Sequence, residues 1–131
     1  MMNDTQSQDK EHHISSSNRD SQGMLSPDQV LDKLTQLLGA SNVQADPEKN
    51  EHYRMGWRSG GGSALAVLFP QTLLDIWRSL EVCVEGDCII IMQAAKTGLT
   101  EGSTPSGNDY DRPVVVINTL AINQLYLVND N

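Results

Sequence analysis

Basic residues are scarce in this 131-residue chain, where 9 Lys and Arg stand against 17 Asp and Glu for a formal net charge of −8. Affinity for a nucleic-acid backbone comes from many Lys/Arg contacts that release counterions, so the charge balance excludes nucleic acid as a partner. Cysteine is scarcer still. Cys83 and Cys88 are the only two, and neither a second Cys pair nor a His-x-x-x-His partner completes a metal set, so buried reduced thiols are the reading and no metal is assigned. Long apolar runs are missing as well. The longest, Cys88 to Met92, falls far short of the ~20 residues of a spanning helix. Met1 to Gly23 is polar, without the basic start and apolar core of a secretory signal, and a cytoplasmic location is the expectation. The length has room for one ordinary domain of ~100–150 residues and none for a second catalytic one.

What is present begins late. Residues 1–25 hold too few large apolar side chains to offset the entropy of ordering them, and read as a disordered polar tail. His12 and His13 lie inside it and, lacking further ligands, read as a solvated pair. Residues 26–131 form the folded part. Ser26, Pro27 and Gln29 make a helix start with a capping box, Val30, Leu31, Leu34, Leu37 and Leu38 make one apolar stripe, and Gly39 is the stop. From Ala40 to Gly62 periodicity is lost, and the segment reads as an extended connector with a turn at Asp46-Pro47 and a flexible break at Gly60-Gly61-Gly62. Within it, Tyr53 to Ser59 brings Arg and Trp near glycines, which suits an anion or ring pocket and equally an ordinary surface loop.

Ala64 to Phe69, closed by Pro70, predicts a strand buried on both faces. Leu73, Ile76, Trp77, Leu80 and Val84 predict the buried stripe of a second helix ending at Glu85-Gly86-Asp87, and Cys88 to Met92 predicts a second buried strand. Strand, helix and strand form a βαβ unit with parallel strands and a right-handed crossover, so the fold class is α+β (α/β-like), a short βαβ sheet with an N-terminal helix. Val114 to Asn118 predicts a third strand and Leu125 to Val128 a fourth, after which the chain stops like an interrupted domain.

The chemistry is expected in Gln93 to Pro105, which leaves the C-terminal end of a strand, where α/β folds tend to place ligands. Ala94, Ala95, Gly98 and Gly102 would let backbone approach a bulky anion, and Thr97, Ser103 and successive amides could donate to it, which describes a pyrophosphate cradle. The segment is neither a Walker loop nor the Gly-x-Gly-x-x-Gly fingerprint. By composition alone, a structural loop and a ligand loop fit equally.

Residues 92–112, with Gly-Leu-Thr-Glu-Gly-Ser-Thr-Pro at the core and Asn-Asp-Tyr-Asp-Arg behind it, resemble the flavin pyrophosphate loop of the quinone-dependent D-lactate dehydrogenases. The resemblance extends back through Asp46-Pro47, Tyr53-Arg54 and Arg58-Ser59-Gly60 to cover roughly residues 27–128. It implies the first subdomain of an FAD-binding domain of the vanillyl-alcohol oxidase and p-cresol methylhydroxylase (PCMH) type. Position by position it implies FAD contacts at Ala94, Ala95, Lys96, Thr97, Gly98, Gly102 and Ser103, with Lys96 a departure where a neutral polar side chain is expected. The full-length enzymes it implies oxidise D-lactate to pyruvate, pass electrons to quinone, and sit peripherally at the cytoplasmic face of the inner membrane through a segment absent here. No catalytic residue is assigned, because no positioned acid or base accompanies the loop, and a solvated acidic loop accounts for Asp109 and Asp111. On this reading the chain alone is inactive. Two other readings stay open: a non-catalytic interaction module, and a fragment of another FAD-dependent 2-hydroxy acid dehydrogenase.

Overall fold

The computed structural model describes residues 23–128. The tail expected over residues 1–25, apart from its last residues, therefore lies outside the described residues, as do His12 and His13. The folded part begins where the polar run ends, with the Leu25 N–H donating to the Glu85 carbonyl at 3.1 Å.

Helix α1 (Pro27–Leu38) starts as the sequence predicts. The Gln29 N–H donates to Ser26 Oγ at 3.3 Å and the Ser26 N–H donates to Gln29 Oε1 at 2.9 Å, so two of the free amides at the helix start are satisfied reciprocally. Gly39 ends the helix at φ +85°, a conformation that disfavours any residue with a Cβ. Val30, Leu34 and Leu38 are buried.

The connector is not loose. A short 3-10 turn (Ala40–Asn42), strand β1 (Val43–Gln44) and helix α2 (Glu51–Arg54) occupy it. The Arg54 guanidinium is the clamp: Nε donates to Asn50 Oδ1 at 2.6 Å, Nη1 to the Gly62 carbonyl at 2.7 Å and Nη2 to the Pro47 carbonyl at 2.9 Å. Fully buried Asn50 in turn donates to the Gln44 carbonyl at 3.2 Å. The turn at Asp46-Pro47 is held by the Glu48 N–H donating to Asp46 Oδ1 at 3.0 Å, which holds the Asp46 carboxyl below its ordinary range. Side-chain to backbone bonds of this kind leave no periodicity to read, so the irregular stretch looked like an open connector.

Strands β3 (Ala66–Leu68), β4 (Ile89–Gln93) and β6 (Val114–Asn118) join β1 in one sheet of order β1-β3-β6-β4, with β1 antiparallel and the other pairings parallel. A second, two-stranded parallel sheet pairs β2 (Gly61–Gly62) with β5 (Ser106–Gly107). The β3-α3-β4 unit is present, where α3 is Leu73–Glu85, with its two strands parallel as expected; β6 sits between them. The strand expected to be buried around Cys88 to Met92 is consequently an edge, partly exposed along its length, while β6 is buried throughout. An apolar run identifies a strand without giving its place in the sheet.

The packed face of α3 also differs from the predicted stripe. Ser79, Val82 and Cys83 are buried, whereas Leu73, Trp77 and Val84 are 74%, 61% and 71% exposed. The helix is apolar on more than one side, and the small residues Ser79 and Cys83 allow close approach to α1 where the bulky stripe would not. Val30, Leu34 and Leu38 of α1 meet Val82 and Cys83 of α3 above Ala66, Leu68, Val115 and Ile117 of the sheet, in one core. Cys83 and Cys88 are buried free thiols, and burial first, with Cys88 nearby, pushes Cys83 up to about 12. Leu125 to Val128 forms no strand: Leu125 is 98% exposed, and among the described residues no strand pairs with the segment. No described helix is long and apolar enough to cross a membrane.

The two candidate faces of this fold separate cleanly by mutation. Leu34→Ala should lower unfolding free energy by ~2–5 kcal/mol, and Trp77→Gln should change it by less than ~0.5 kcal/mol; urea denaturation of both variants checks the assignment.

Candidate functional site

Strand β4 ends at Gln93, and the polypeptide from Ala94 to Pro105 crosses the end of the sheet opposite the Tyr53 to Gly60 segment. Gln93 is 2% exposed and its amide is fully used. Nε2 donates to the Tyr53 carbonyl at 2.7 Å and to the Ser103 carbonyl at 2.8 Å, and Oε1 accepts from Asn118 Nδ2 at 3.0 Å. Asn118, its register partner on β6, is equally buried and accepts the Leu120 N–H at 3.1 Å. One pair of side-chain amides thus ties together the start of the loop, its far end, the α2 segment and the end of β6. The sequence reading passed over Gln93 and Asn118; the only signal was an amide residue closing each of two apolar strands.

Within the loop, Ala94, Ala95, Thr97, Gly98 and Gly102 are exposed and Lys96 and Ser103 half-buried. Among the described residues, no protein acceptor engages the backbone N–H of any residue from Ala95 to Ser103. The loop is exposed for most of its length, so these donors are free to meet solvent or a bound acceptor. A Cβ added at Gly98 would meet nothing within 4 Å, and one at Gly102 only Thr100 Oγ1 at 3.9 Å. Neither glycine is at positive φ; the left-handed positions are Lys96 at 56° and Glu101 at 61°. Non-glycine residues there carry a conformational cost.

Both of those side chains reach across to the facing segment. Lys96 Nζ donates to the His52 carbonyl and, at 3.2 Å, to the Met55 carbonyl, and lies 6.0 Å from the Tyr53 ring centroid. Partial burial lowers its pKa. The ammonium closes the C-terminal end of α2. Glu101 accepts from Ser59 Oγ. Between the two elements lie clefts of about 510 Å³, lined by His52, Met55, Trp57, Ala95 and Lys96, and about 380 Å³, lined by Trp57, Arg58, Ala95, Lys96, Thr97 and Leu99. A narrower crevice runs from Trp57, Arg58 and Ser59 to Gly98, Ser103 and Thr104.

Thr104 Oγ1 on that crevice is buried with no hydrogen-bond partner. Leaving a buried hydroxyl unpaired costs ~1–3 kcal/mol, and the crevice beside it is no larger than one water. Open amides, small side chains and the Thr97 and Ser103 hydroxyls together fit a dinucleotide diphosphate. The charges are mixed: Arg58 and Lys96 favour an anion, and Glu101 opposes it. Of the sequence-named residues, Ala95, Lys96, Thr97, Gly98 and Ser103 line these clefts; Ala94 sits at the loop entrance, its carbonyl accepting from Asn118 Nδ2 at 3.4 Å. Arg54, in the segment noted for anion binding, spends three of its five N–H donors on protein acceptors. Asp109 and Asp111 are exposed, and Asp111 pairs with Arg112 at 3.3 Å.

Two glycines beside the loop have no room for a Cβ. A Cβ on Gly62 would fall 1.9 Å from the Gly107 carbonyl oxygen, and one on Gly56 1.9 Å from that of Ser59. Gly62→Ala should therefore destabilise the chain, whereas Gly98→Ala should leave its thermal midpoint unchanged; thermal melts of the two variants test the contrast.

Comparison with known proteins follows the same lines. No family model matches the chain. It is 57% identical over 98 residues to the quinone-dependent D-lactate dehydrogenase of Escherichia coli K12, covering 75% of this chain and 17% of that protein. It is 53% identical over 106 residues to that of Haemophilus influenzae, covering 81% and 19%. The chain thus spans about a fifth of the length of these relatives. Among solved structures, p-cresol methylhydroxylase superposes with a TM-score of 0.57 at 15% identity, covering 79% of this chain and 20% of that one, so the α+β fold is that of the PCMH-type subdomain.

Proposed function

We propose, taking homology to the quinone-dependent D-lactate dehydrogenases as the premise, that this chain is the first part of the FAD-binding domain of an enzyme that oxidises D-lactate to pyruvate and passes the electrons to quinone. The observation that carries the reading is the run of amides from Ala95 to Ser103 without a protein acceptor, in a loop whose residues Ala95, Lys96, Thr97 and Leu99 line the cleft beside Trp57. FAD, when bound, supplies the hydride acceptor.

The chain's own residues bind and orient. Amides of Ala95 to Ser103, with the Thr97 and Ser103 hydroxyls, would hold the diphosphate by donating to its oxygens, as a helix N-terminus does in other nucleotide sites. Ala94, Ala95, Gly98 and Gly102 are small enough to let those oxygens approach. Lys96 contributes its charge at a distance while its ammonium stays on the α2 carbonyls. Met55, Trp57 and Leu99, all exposed, provide apolar surface for a ring system and keep water from it. The proton and hydride chemistry on D-lactate, the quinone contacts and attachment at the cytoplasmic face of the inner membrane are assigned to the about four fifths of the relatives' length that this chain does not span.

FAD titrated against the purified chain should bind weakly, because the clefts are open on one side and association costs ~4–15 kcal/mol of lost freedom. Absence of binding at millimolar FAD would overturn the reading, and tight stoichiometric binding would overturn the incompleteness of the site. Gly98→Val and Gly102→Val should remove that binding and leave the melt intact, since nothing else occupies the space they would fill. Glu101→Gln should tighten binding several-fold by removing a like charge from the mouth of the cradle, measured by the same titration.

A further inference from the structure

We infer that Gln93 is a positioning residue for the Ala95 to Ser103 loop: its buried carboxamide, held by Asn118, sets the spacing between the two ends of the loop and the facing α2 segment, and thereby the course of the loop along the cleft. This rests on the proposed diphosphate role only for its consequence, not for its geometry.

Three observations meet at this side chain. First, its two N–H donors go to two carbonyls that belong to different walls, Tyr53 at 2.7 Å and Ser103 at 2.8 Å, so the cleft's walls share one planar group. Second, the carbonyl end is claimed by Asn118 Nδ2 at 3.0 Å, and the same Asn118 amide also reaches the Ala94 carbonyl at 3.4 Å, which leaves the carboxamide only one orientation that satisfies every partner. Third, the main chain adds a parallel clamp: the Thr119 N–H at 2.8 Å and Thr119 Oγ1 at 3.3 Å both donate to the Gln93 carbonyl. Among the described residues the loop from 95 to 103 has no backbone bond within it, and it is fixed by its ends and by the Lys96 and Glu101 side chains, which hold it to the facing segment. A carboxylate at position 93 would have the right size and no donor, and would place charge against two carbonyl oxygens.

The test uses the whole chain and three variants. Gln93→Glu and Gln93→Met keep the side-chain length and remove the donors; Val30→Ala is a core control that lowers stability away from the loop. Site-resolved hydrogen exchange without FAD is the first readout. The hydrogen-bonded amides of Tyr53, Arg54 and Met55, and that of Thr104 at the far end of the loop, should exchange at least about tenfold faster in both Gln93 variants relative to β6 amides, which Val30→Ala should not reproduce. FAD affinity is the second, and should fall about tenfold or more in both Gln93 variants and remain unchanged in Val30→Ala. Uniform exchange changes that track global stability in all three would overturn the positioning role. Faster local exchange with FAD affinity unchanged would uphold the positioning of the loop and count against the diphosphate role; a Gln93 variant that fails to fold would show the residue to be structural and would also overturn the inference.

Discussion

The arrangement hangs on a buried carboxamide pair at the ends of two parallel strands. Gln93 and Asn118 are register partners, and their side chains lie where the sheet runs out and the polypeptide must leave it. Buried amides are costly unless every donor and acceptor is met. Meeting them here requires the Tyr53 carbonyl, the Ser103 carbonyl and the Leu120 N–H to be in place together. A local requirement for hydrogen bonds thereby becomes a long-range constraint that brings α2 over the loop and forms a cleft.

The rest of the molecule supports that junction. The α1/α3 layer covers one face of the sheet and supplies the apolar core, and the Arg54 clamp and the β2/β5 pair order the segment facing the loop. The division is physical. On one face, burial of Leu34, Leu68, Val115 and Ile117 provides the stabilisation; on the loop side, polar groups are arranged by name and partner, and the main chain from Ala95 to Ser103 keeps its donors unspent.

Much of this was legible in the sequence where a pattern repeats. The capping box at Ser26, the α1 stripe, the β3 and β6 strands and the loop leaving β4 follow from periodicity, turn residues and the apolar runs. What pattern could not supply was order and contact. Nothing in Cys88 to Met92 says that β6 intervenes and leaves this strand at the edge, and α3 is apolar on two sides, so its bulkiest stripe was mistaken for the packed one. The apolar run at Leu125 to Val128 looked like a strand because composition carries no information on whether a partner exists. The loop was found by its small residues, yet the left-handed positions fall on Lys96 and Glu101 and not on its glycines, and the groups that hold it, Gln93, Asn118 and Arg54, belong to no motif of spacing.

The central claim, that the main-chain amides of this loop receive a dinucleotide diphosphate, is tested most directly by following assigned amide proton resonances of the unmodified chain during addition of FAD. The account predicts saturable downfield shifts concentrated at Ala95 to Ser103, with smaller changes at Trp57 and Arg58. Saturable shifts confined to other surfaces, with the loop resonances unmoved, would contradict it.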